Sequence, residues 1–173
     1  AGESGIYASG WASNVDYSDG TRQELDGYIG YLTPLAENYS LDIGTGHFTY
    51  HGSSTSSDLD YGEIYTTLST PLADVSLRYS WDYFGTGAGY TIFQLAKSIN
   101  LPNKIGLKLG YNYSTSLNTE KYTTYGDKSY SHAFAKLSKN WGKLNWELSV
   151  QDTDLHADEV NGVKVVLGTT LNF

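Results

Sequence analysis

The chain has 173 residues, the length of a single domain, with 16 Tyr, 4 Trp and 19 Gly but only 3 Pro. No apolar run approaches the roughly 20 residues that a membrane-spanning helix needs, so a helical membrane protein is excluded. The net charge of −8 argues against nucleic-acid binding, because no basic patch is present to neutralise phosphates.

The residue types that are missing also limit the setting of the protein. Cysteine is absent, which excludes disulfides and thiolate metal sites and suits an exported protein. Methionine is absent as well. A chain that begins Ala1-Gly2-Glu3 is therefore expected to be a processed or trimmed product.

The first half of the chain alternates apolar and polar residues with a period of two, which predicts strands with two different faces. We expect five strands here, at residues 5–16, 23–33, 39–51, 59–70 and 75–83. The second and fourth strands end in nearly the same short turn, Thr33 to Glu37 and Thr70 to Asp74. In the fifth strand, Trp81 and Tyr83 are predicted to face outward and Asp82 inward.

The second half of the chain continues the pattern. We expect five more strands, at residues 90–101, 105–114, 129–141, 144–151 and 162–173. Lys97 falls on the apolar side of the sixth strand. Either its ammonium snorkels to water at a membrane rim, or the register assigned to that strand is wrong.

The last strand alternates throughout and ends on its apolar face at Phe173. Such a strand resembles the closing strand of bacterial outer-membrane β-barrels, whose terminal aromatic residue is read by the assembly machinery. The links between the ten strands are alternately short and long, so both termini are expected at the short-turn end.

These patterns predict an all-β fold in one domain, residues 1–173: a closed, antiparallel, up-and-down transmembrane β-barrel of ten strands. Aromatic residues near the strand ends fit two interfacial girdles. They are Tyr31, Tyr39 and Trp141 at the short-turn end, and Trp81, Tyr83, Tyr111 and Tyr113 at the other.

The alternative fold is a soluble β-sandwich, which also shows alternation and turn signals. A sandwich would turn the Tyr and Trp side chains inward and rarely has strands this long with hairpins this regular. A closed barrel is favoured because lipid cannot satisfy the backbone groups of an open sheet edge.

Five segments carry a resemblance to a known family: G-I-Y-A-S-G-W-A-S-N-V at Gly5 to Val15, D-G-Y-I-G-Y at Asp26 to Tyr31, L-D-I-G-T-G-H-F-T-Y at Leu41 to Tyr50, V-S-L-R-Y-S-W-D-Y-F-G at Val75 to Gly85, and Q-D-T-D at Gln151 to Asp154. On these residues the chain resembles the TorF-type porins of Gram-negative bacteria, over nearly its whole length. The resemblance implies an outer-membrane barrel with a pore role. It also implies a further strand pair before Gly5, so we expect an N-terminally shortened form of a twelve-stranded barrel.

The face opposite the apolar one is predicted to line a lumen with charges of both signs. The predicted pore-lining residues are Glu24, Asp26, Asp42, Glu63, Arg78, Asp82, Lys108, Lys136, Glu147 and Lys164. The acids crowd strands two to four and most bases lie on strands five to ten. Arcs of charge are how pores select solutes, so the expected function is passive diffusion of small polar solutes or ions.

A plugged barrel without transport is the alternative function, with a structural or interaction role. The charged groups would then pair and fill a narrow interior together with Tyr7, Tyr28, Tyr61, Tyr65 and Phe134. Both outcomes are open on size alone, because about eight strands are just filled by side chains whereas sixteen leave a channel.

Catalysis is not expected. His51 is close in sequence to Ser53, Ser54 and Asp58, which is the pattern an outer-membrane hydrolase would need at a strand end. Serine-rich loop residues nevertheless need no chemistry to explain them.

No metal or cofactor is expected either. Asp152, Asp154, His156, Asp158 and Glu159 offer ligands in one loop and could bind a divalent cation that bridges lipopolysaccharide phosphates. Their spacing does not follow the calcium-loop pattern, so a solvated acidic loop is favoured.

The glycine-rich loop at residues 85–89 precedes a strand and lacks a following Lys-Ser/Thr, so it is predicted to be a flexible hairpin and not a phosphate site. The expected partners are the lipid bilayer and lipopolysaccharide of the bacterial outer membrane, together with its assembly machinery through Phe173.

Overall fold

The computed structural model describes residues 5–157 and 162–171, and it contains ten strands and three short 3₁₀ turns. The strands are β1 Ile6–Asn14, β2 Gln23–Ala36, β3 Tyr39–His51, β4 Tyr61–Ser69, β5 Asp74–Ser80, β6 Tyr90–Leu101, β7 Ile105–Ser116, β8 Ser129–Trp141, β9 Leu144–Thr153 and β10 Lys164–Leu171. The turns are Ser56–Leu59, Tyr83–Gly85 and Pro102–Lys104. Phe173 lies outside the described residues.

All ten strands belong to one sheet, in the order of the chain from β1 to β10. Each strand pairs antiparallel with the next. The predicted all-β, up-and-down architecture is therefore confirmed. Within residues 5–157 and 162–171 no pairing joins β10 to β1, so the predicted closure into a barrel is not seen in this sheet.

The pairing register confirms the predicted two faces. Residues opposite one another in an antiparallel pair project to the same side of the sheet. On the outer face, Ile29 opposes both Ala8 and Thr45. On the inner face, Arg78 opposes both Tyr65 and Ile92.

The outer face is apolar and uncovered. Ile29 is 55% exposed, Ile43 51% and Leu167 69%, and many large apolar side chains beside them on this face are similarly accessible. No described helix or loop segment packs as a layer on it. A contiguous apolar surface of this kind requires an apolar neighbour, because water is a poor solvent for it.

Short and long connections alternate as predicted, so the sheet has a short-turn end and a long-loop end. In the β4–β5 turn, the Thr70 hydroxyl donates to the Ala73 carbonyl at 2.8 Å and accepts from the Ala73 amide at 3.1 Å. Asn38 supplies the positive φ of 63° that the β2–β3 turn needs.

Lys97 lies on the outer face opposite Leu109, so the predicted register of β6 is correct. Its ammonium donates to the carbonyl of Pro71 in the β4–β5 turn. The side chain thus runs along the apolar face towards the short-turn end, as a snorkelling lysine does.

The predicted end of the fifth strand, and the faces predicted for Asp82 and Tyr83, are wrong, whereas Trp81 is exposed. β5 ends at Ser80, and Asp82 and Tyr83 lie in the following turn, where Phe84 has a φ of 51°. Asp82 therefore does not line the inner face, and its carboxylate instead accepts from the amide of Gly87. Tyr83 does not face outward, because its ring stacks on that of Tyr90 at 4.2 Å.

Candidate functional site

The inner face of the sheet is the candidate site, because it collects the charged side chains. All of the predicted pore-lining residues except Asp82 project from it. The acids lie on β2 to β4 and on β9, and the bases on β5, β7, β8 and β10.

The deepest charge on this face is that of Glu63, which is 4% exposed. It forms an ion pair with Arg78 at 2.9 Å. The Arg78 guanidinium also lies 5.8 Å from the centre of the Tyr65 ring. Pairing is what permits a carboxylate to be buried to this extent.

A second acid, Asp42, accepts a hydrogen bond from a tyrosine two strands away. The Tyr7 hydroxyl of β1 donates to the Asp42 carboxylate of β3 at 2.8 Å. The Tyr65 hydroxyl of β4 lies 2.7 Å from that of Tyr7 and donates to it, because the only Tyr7 hydroxyl proton is already used.

Two further acids, Glu24 and Asp26, lie nearer the long-loop end and accept from tyrosines. Tyr50 donates to Glu24 at 3.0 Å and Tyr28 donates to Asp26 at 3.0 Å. Within the described residues the other carboxylate oxygen of Asp26 is buried without a partner.

An aromatic cluster closes the long-loop end of the inner face. It consists of Tyr17, Tyr50, Tyr61, Tyr83, Phe84, Tyr90 and Tyr122. Tyr50 and Tyr90 are each 2% exposed, so the rings are packed together and do not form an open platform. Burial raises the pKa of Tyr17, Tyr83 and Tyr122, the tyrosines that the loops contribute.

The aromatic cluster shows that the sheet is strongly curved. Tyr17 of the β1–β2 connection lies 6.3 Å from Phe84 of the β5–β6 connection, and Phe84 lies 6.2 Å from Tyr122 of the β7–β8 connection. In a flat sheet with strands about 4.8 Å apart, the first and last of these connections would be separated by roughly 30 Å. The three rings can lie this close together only if the sheet curves so that its inner face is concave.

The predicted plugging residues are partly those of the cluster. Tyr61 belongs to it, and Tyr7, Tyr28 and Tyr65 pack or hydrogen-bond beside it on the inner face. Sequence reasoning missed the loop residues Tyr83, Phe84 and Tyr122, because alternation carries no signal for a ring that folds back from a loop.

On the other half of the inner face, polar side chains form a belt across β6 to β9. Gln94 donates to Asn112 at 2.7 Å, and Asn112 lies 2.9 Å from Nδ1 of His132. Nε2 of His132 lies 3.3 Å from the Gln151 amide oxygen. An amide donor at Nδ1 and an amide acceptor at Nε2 fit the neutral tautomer protonated at Nε2.

Two basic residues, Lys108 and Lys136, lie beside this belt, towards the short-turn end. Lys136 forms an ion pair with Glu147 at 3.1 Å. Lys108 is the direct partner of Lys136 in the register. A groove of about 350 Å³ runs along this wall between Lys108, Lys136 and Glu147.

The residues considered for catalysis are not brought into a relay. The His51 ring contacts the Thr49 hydroxyl at 3.2 Å. The Ser53 hydroxyl lies 3.0 Å from that of Ser56.

The acidic loop does not assemble a metal site in the part that the structure describes. Asp154 accepts from the Ser131 amide at 2.6 Å, and His156 pairs with Asp127 at 3.1 Å. The hydrogen bond from His156 lowers the pKa of Asp127. Asp158 and Glu159 lie outside the described residues, among which no group of three or more acids and histidines could hold a metal.

Comparison with known proteins places the chain in one family. Within the described residues no helix is long and apolar enough to cross a membrane. No curated protein and no solved structure matches the chain. A family model described as a bacterial protein of unknown function (Gcw_chp) matches residues 1–169, so the chain belongs to the Gcw_chp family.

Proposed function

We propose that the sheet closes into a transmembrane β-barrel of the bacterial outer membrane, through which small polar solutes or ions diffuse passively along a narrow charged lumen. The observation that carries this proposal is a single ten-stranded sheet with an uncovered apolar face and a charged opposite face. Lipid on one side and water on the other satisfy both faces at once.

Closure follows from the same environment. A sheet edge within lipid would leave backbone groups unsatisfied at several kcal/mol each, whereas β1 paired with β10 would satisfy them. The curvature imposed by the aromatic cluster already brings connections from opposite parts of the sheet together over the inner face. An even number of antiparallel strands closes with both termini at one end.

Aromatic side chains on the outer face fit the two membrane interfaces. Tyr39 and Trp141 are exposed towards the short-turn end, and Trp81 and Tyr113 towards the long-loop end. Amphipathic rings at these levels anchor a barrel between headgroups and hydrocarbon. The resemblance to TorF-type porins supports the same environment, with lipid, lipopolysaccharide and the assembly machinery as partners.

A second candidate is a plugged barrel without transport, and the aromatic cluster favours it. Its rings belong to three different loops and to the long-loop ends of β3, β4 and β6, and they are packed together. A solute entering at the long-loop end would have to pass this cluster or displace it.

Planar-bilayer recording of the purified protein tests the two candidates. The informative variant is Phe84→Ala with Tyr122→Ala, which removes two cluster rings contributed by different loops. The matched control is Tyr125→Ala, a tyrosine of the same β7–β8 connection whose side chain is 58% exposed. A pore predicts discrete channel events from the wild type and the control, and larger events from the double variant.

A plugged barrel predicts a silent wild type and events from the double variant alone. If all three proteins are silent at every salt concentration, the pore is contradicted.

A further inference from the structure

Two lysines on the inner face lie where like charges are unfavourable. Lys108 of β7 and Lys136 of β8 are direct partners in the register, so their side chains leave the same face of the sheet side by side. Cα atoms of such partners are about 4.5–5.5 Å apart, and like charges placed there destabilise a sheet. A pair of this kind suggests a role other than stability.

The resident counter-charge is insufficient for both ammonium groups. Glu147 of β9 pairs with Lys136 at 3.1 Å. Among the described side chains, no hydrogen bond or ion pair reaches Lys108. One positive charge on this wall is therefore left without a partner.

The surroundings of this charge form a built polar pocket. The groove of about 350 Å³ contains Lys108, Lys136 and Glu147 together with neutral hydrogen-bonding groups. Ser98 is the register partner of Lys108, and Ser138 lies across from Gly106. Gly106 leaves the space that Ser138 uses, because a Cβ there would lie 2.6 Å from the Ser138 hydroxyl.

The geometry points to a binding site for small carboxylate anions at Lys108 and Lys136. The Glu147 carboxylate on Lys136 shows which group this wall accepts, and a solute carboxylate would take the equivalent place on Lys108. Charge-assisted hydrogen bonds from two ammonium groups hold it, and the Ser98 and Ser138 hydroxyls complete its coordination. The inference rests on the proposed pore, because it assigns the class of solute that the lumen selects.

The site can be tested by binding, without reference to conduction. Wild-type protein with ¹³C-labelled lysine side chains is titrated with sodium propionate, and separately with sodium chloride at equal concentration, by NMR. Propionate is expected to shift the Lys108 and Lys136 signals at concentrations where chloride does not.

Three variants make the test specific. Lys108→Gln should weaken propionate binding about tenfold, the effect of one lost charged hydrogen bond. Glu147→Gln should tighten it several-fold, because the competing carboxylate is removed. Lys143→Gln is the matched control, since it makes the same charge change in the exposed β8–β9 turn, and it should leave binding unchanged.

The outcomes separate this site from the pore itself. Unchanged affinity in Lys108→Gln, weaker binding in Glu147→Gln, or equal shifts from chloride would overturn the carboxylate site even if the protein conducts. If the protein shows the expected binding shifts but never conducts, the carboxylate site is supported and the proposed pore is contradicted. Should Lys108→Gln fail to fold, Glu147→Gln carries the test alone.

Discussion

Two glycines on the inner face provide the space in which tyrosine rings cross between strands. A Cβ on Gly30 would lie 2.5 Å from the Tyr7 ring, and a Cβ on Gly44 would lie 2.3 Å from the Tyr65 hydroxyl. The missing side chains thus allow Tyr7 and Tyr65 to meet at Asp42. The polar network of this wall depends on residues that contribute no polar group of their own.

Alternation in the sequence places Gly30 and Gly44 on the inner face, and the structure confirms it. It could not show that rings from other strands fill their places. A period of two reports the side to which a residue points, but it carries no information about which side chain of the neighbouring strand lies across from it.

Substitution of Gly44 by alanine is expected to destabilise the fold by about 1–3 kcal/mol, the usual cost of overpacking. The added methyl would meet the Tyr65 hydroxyl at 2.3 Å and the Ile29 carbonyl oxygen at 2.6 Å, and the backbone atom cannot swing away. Gly27→Ala is the control, because a Cβ at Gly27 has nothing within 4 Å. Urea unfolding in lipid vesicles, followed by Trp fluorescence, measures the stability of both variants. Equal unfolding midpoints for the two variants would contradict overpacking at Gly44.

At the scale of elements, strand bounds were predictable where a turn residue follows the alternation directly. β3, β6 and β8 have the predicted bounds, and a glycine or proline directly follows each of them. β5 was predicted too long because Trp81 and Tyr83 continue its alternation in the sequence. The chain turns there because Tyr83 packs on Tyr90, a tertiary contact that local pattern does not encode.

The loops at the long-loop end are joined by hydrogen bonds as well as by rings. The Thr21 amide donates to Asp19 at 3.0 Å and the Thr21 hydroxyl donates to Asp19 at 2.9 Å. The Ser56 hydroxyl lies 2.8 Å from that of Thr21 and links the β1–β2 connection to the β3–β4 connection. The hydrogen bonds from Thr21 lower the pKa of Asp19 below its ordinary value.

This link is therefore expected to depend on pH in a defined direction. Because the folded pKa of Asp19 is lower than the unfolded value of about 3.9, its contribution is complete above that value and is lost as the pH falls through the folded pKa. An NMR titration should place the Asp19 carboxyl midpoint below about 3.9, with the Thr21 amide shift following it. Asp19→Asn should remove the pH dependence at Thr21; an Asp19 midpoint at or above the ordinary value would contradict the assignment.

At the scale of the molecule, the concave inner face has walls of different character. Acids and tyrosines pack densely on β1 to β5, whereas the wall formed by β6 to β9 carries lysines, amides and an open groove. The sequence predicted the charges of the two walls, since they depend only on which face each residue takes. It could not predict how densely side chains pack against each wall, because that packing depends on loops that fold back over the inner face.

Disulfide trapping would show whether the sheet closes between β1 and β10 as proposed. The chain contains no cysteine, so pairs of introduced cysteines report without background. Ala8→Cys on the outer face of β1 would be combined in turn with cysteines on the outer face of β10, at Val165, Leu167, Thr169 and Leu171. The positive control pairs Ala8→Cys with Ile29→Cys, its register partner on β2, and the negative control pairs it with Leu77→Cys on β5.

The protein would be folded into lipid vesicles, oxidised and analysed on a non-reducing gel. A closed barrel predicts that one β10 position crosslinks as fully as the positive control, because a disulfide forms only where Cα atoms are about 4.4–6.8 Å apart. Crosslinking in the positive control with none at any of the four β10 positions would contradict the closed barrel.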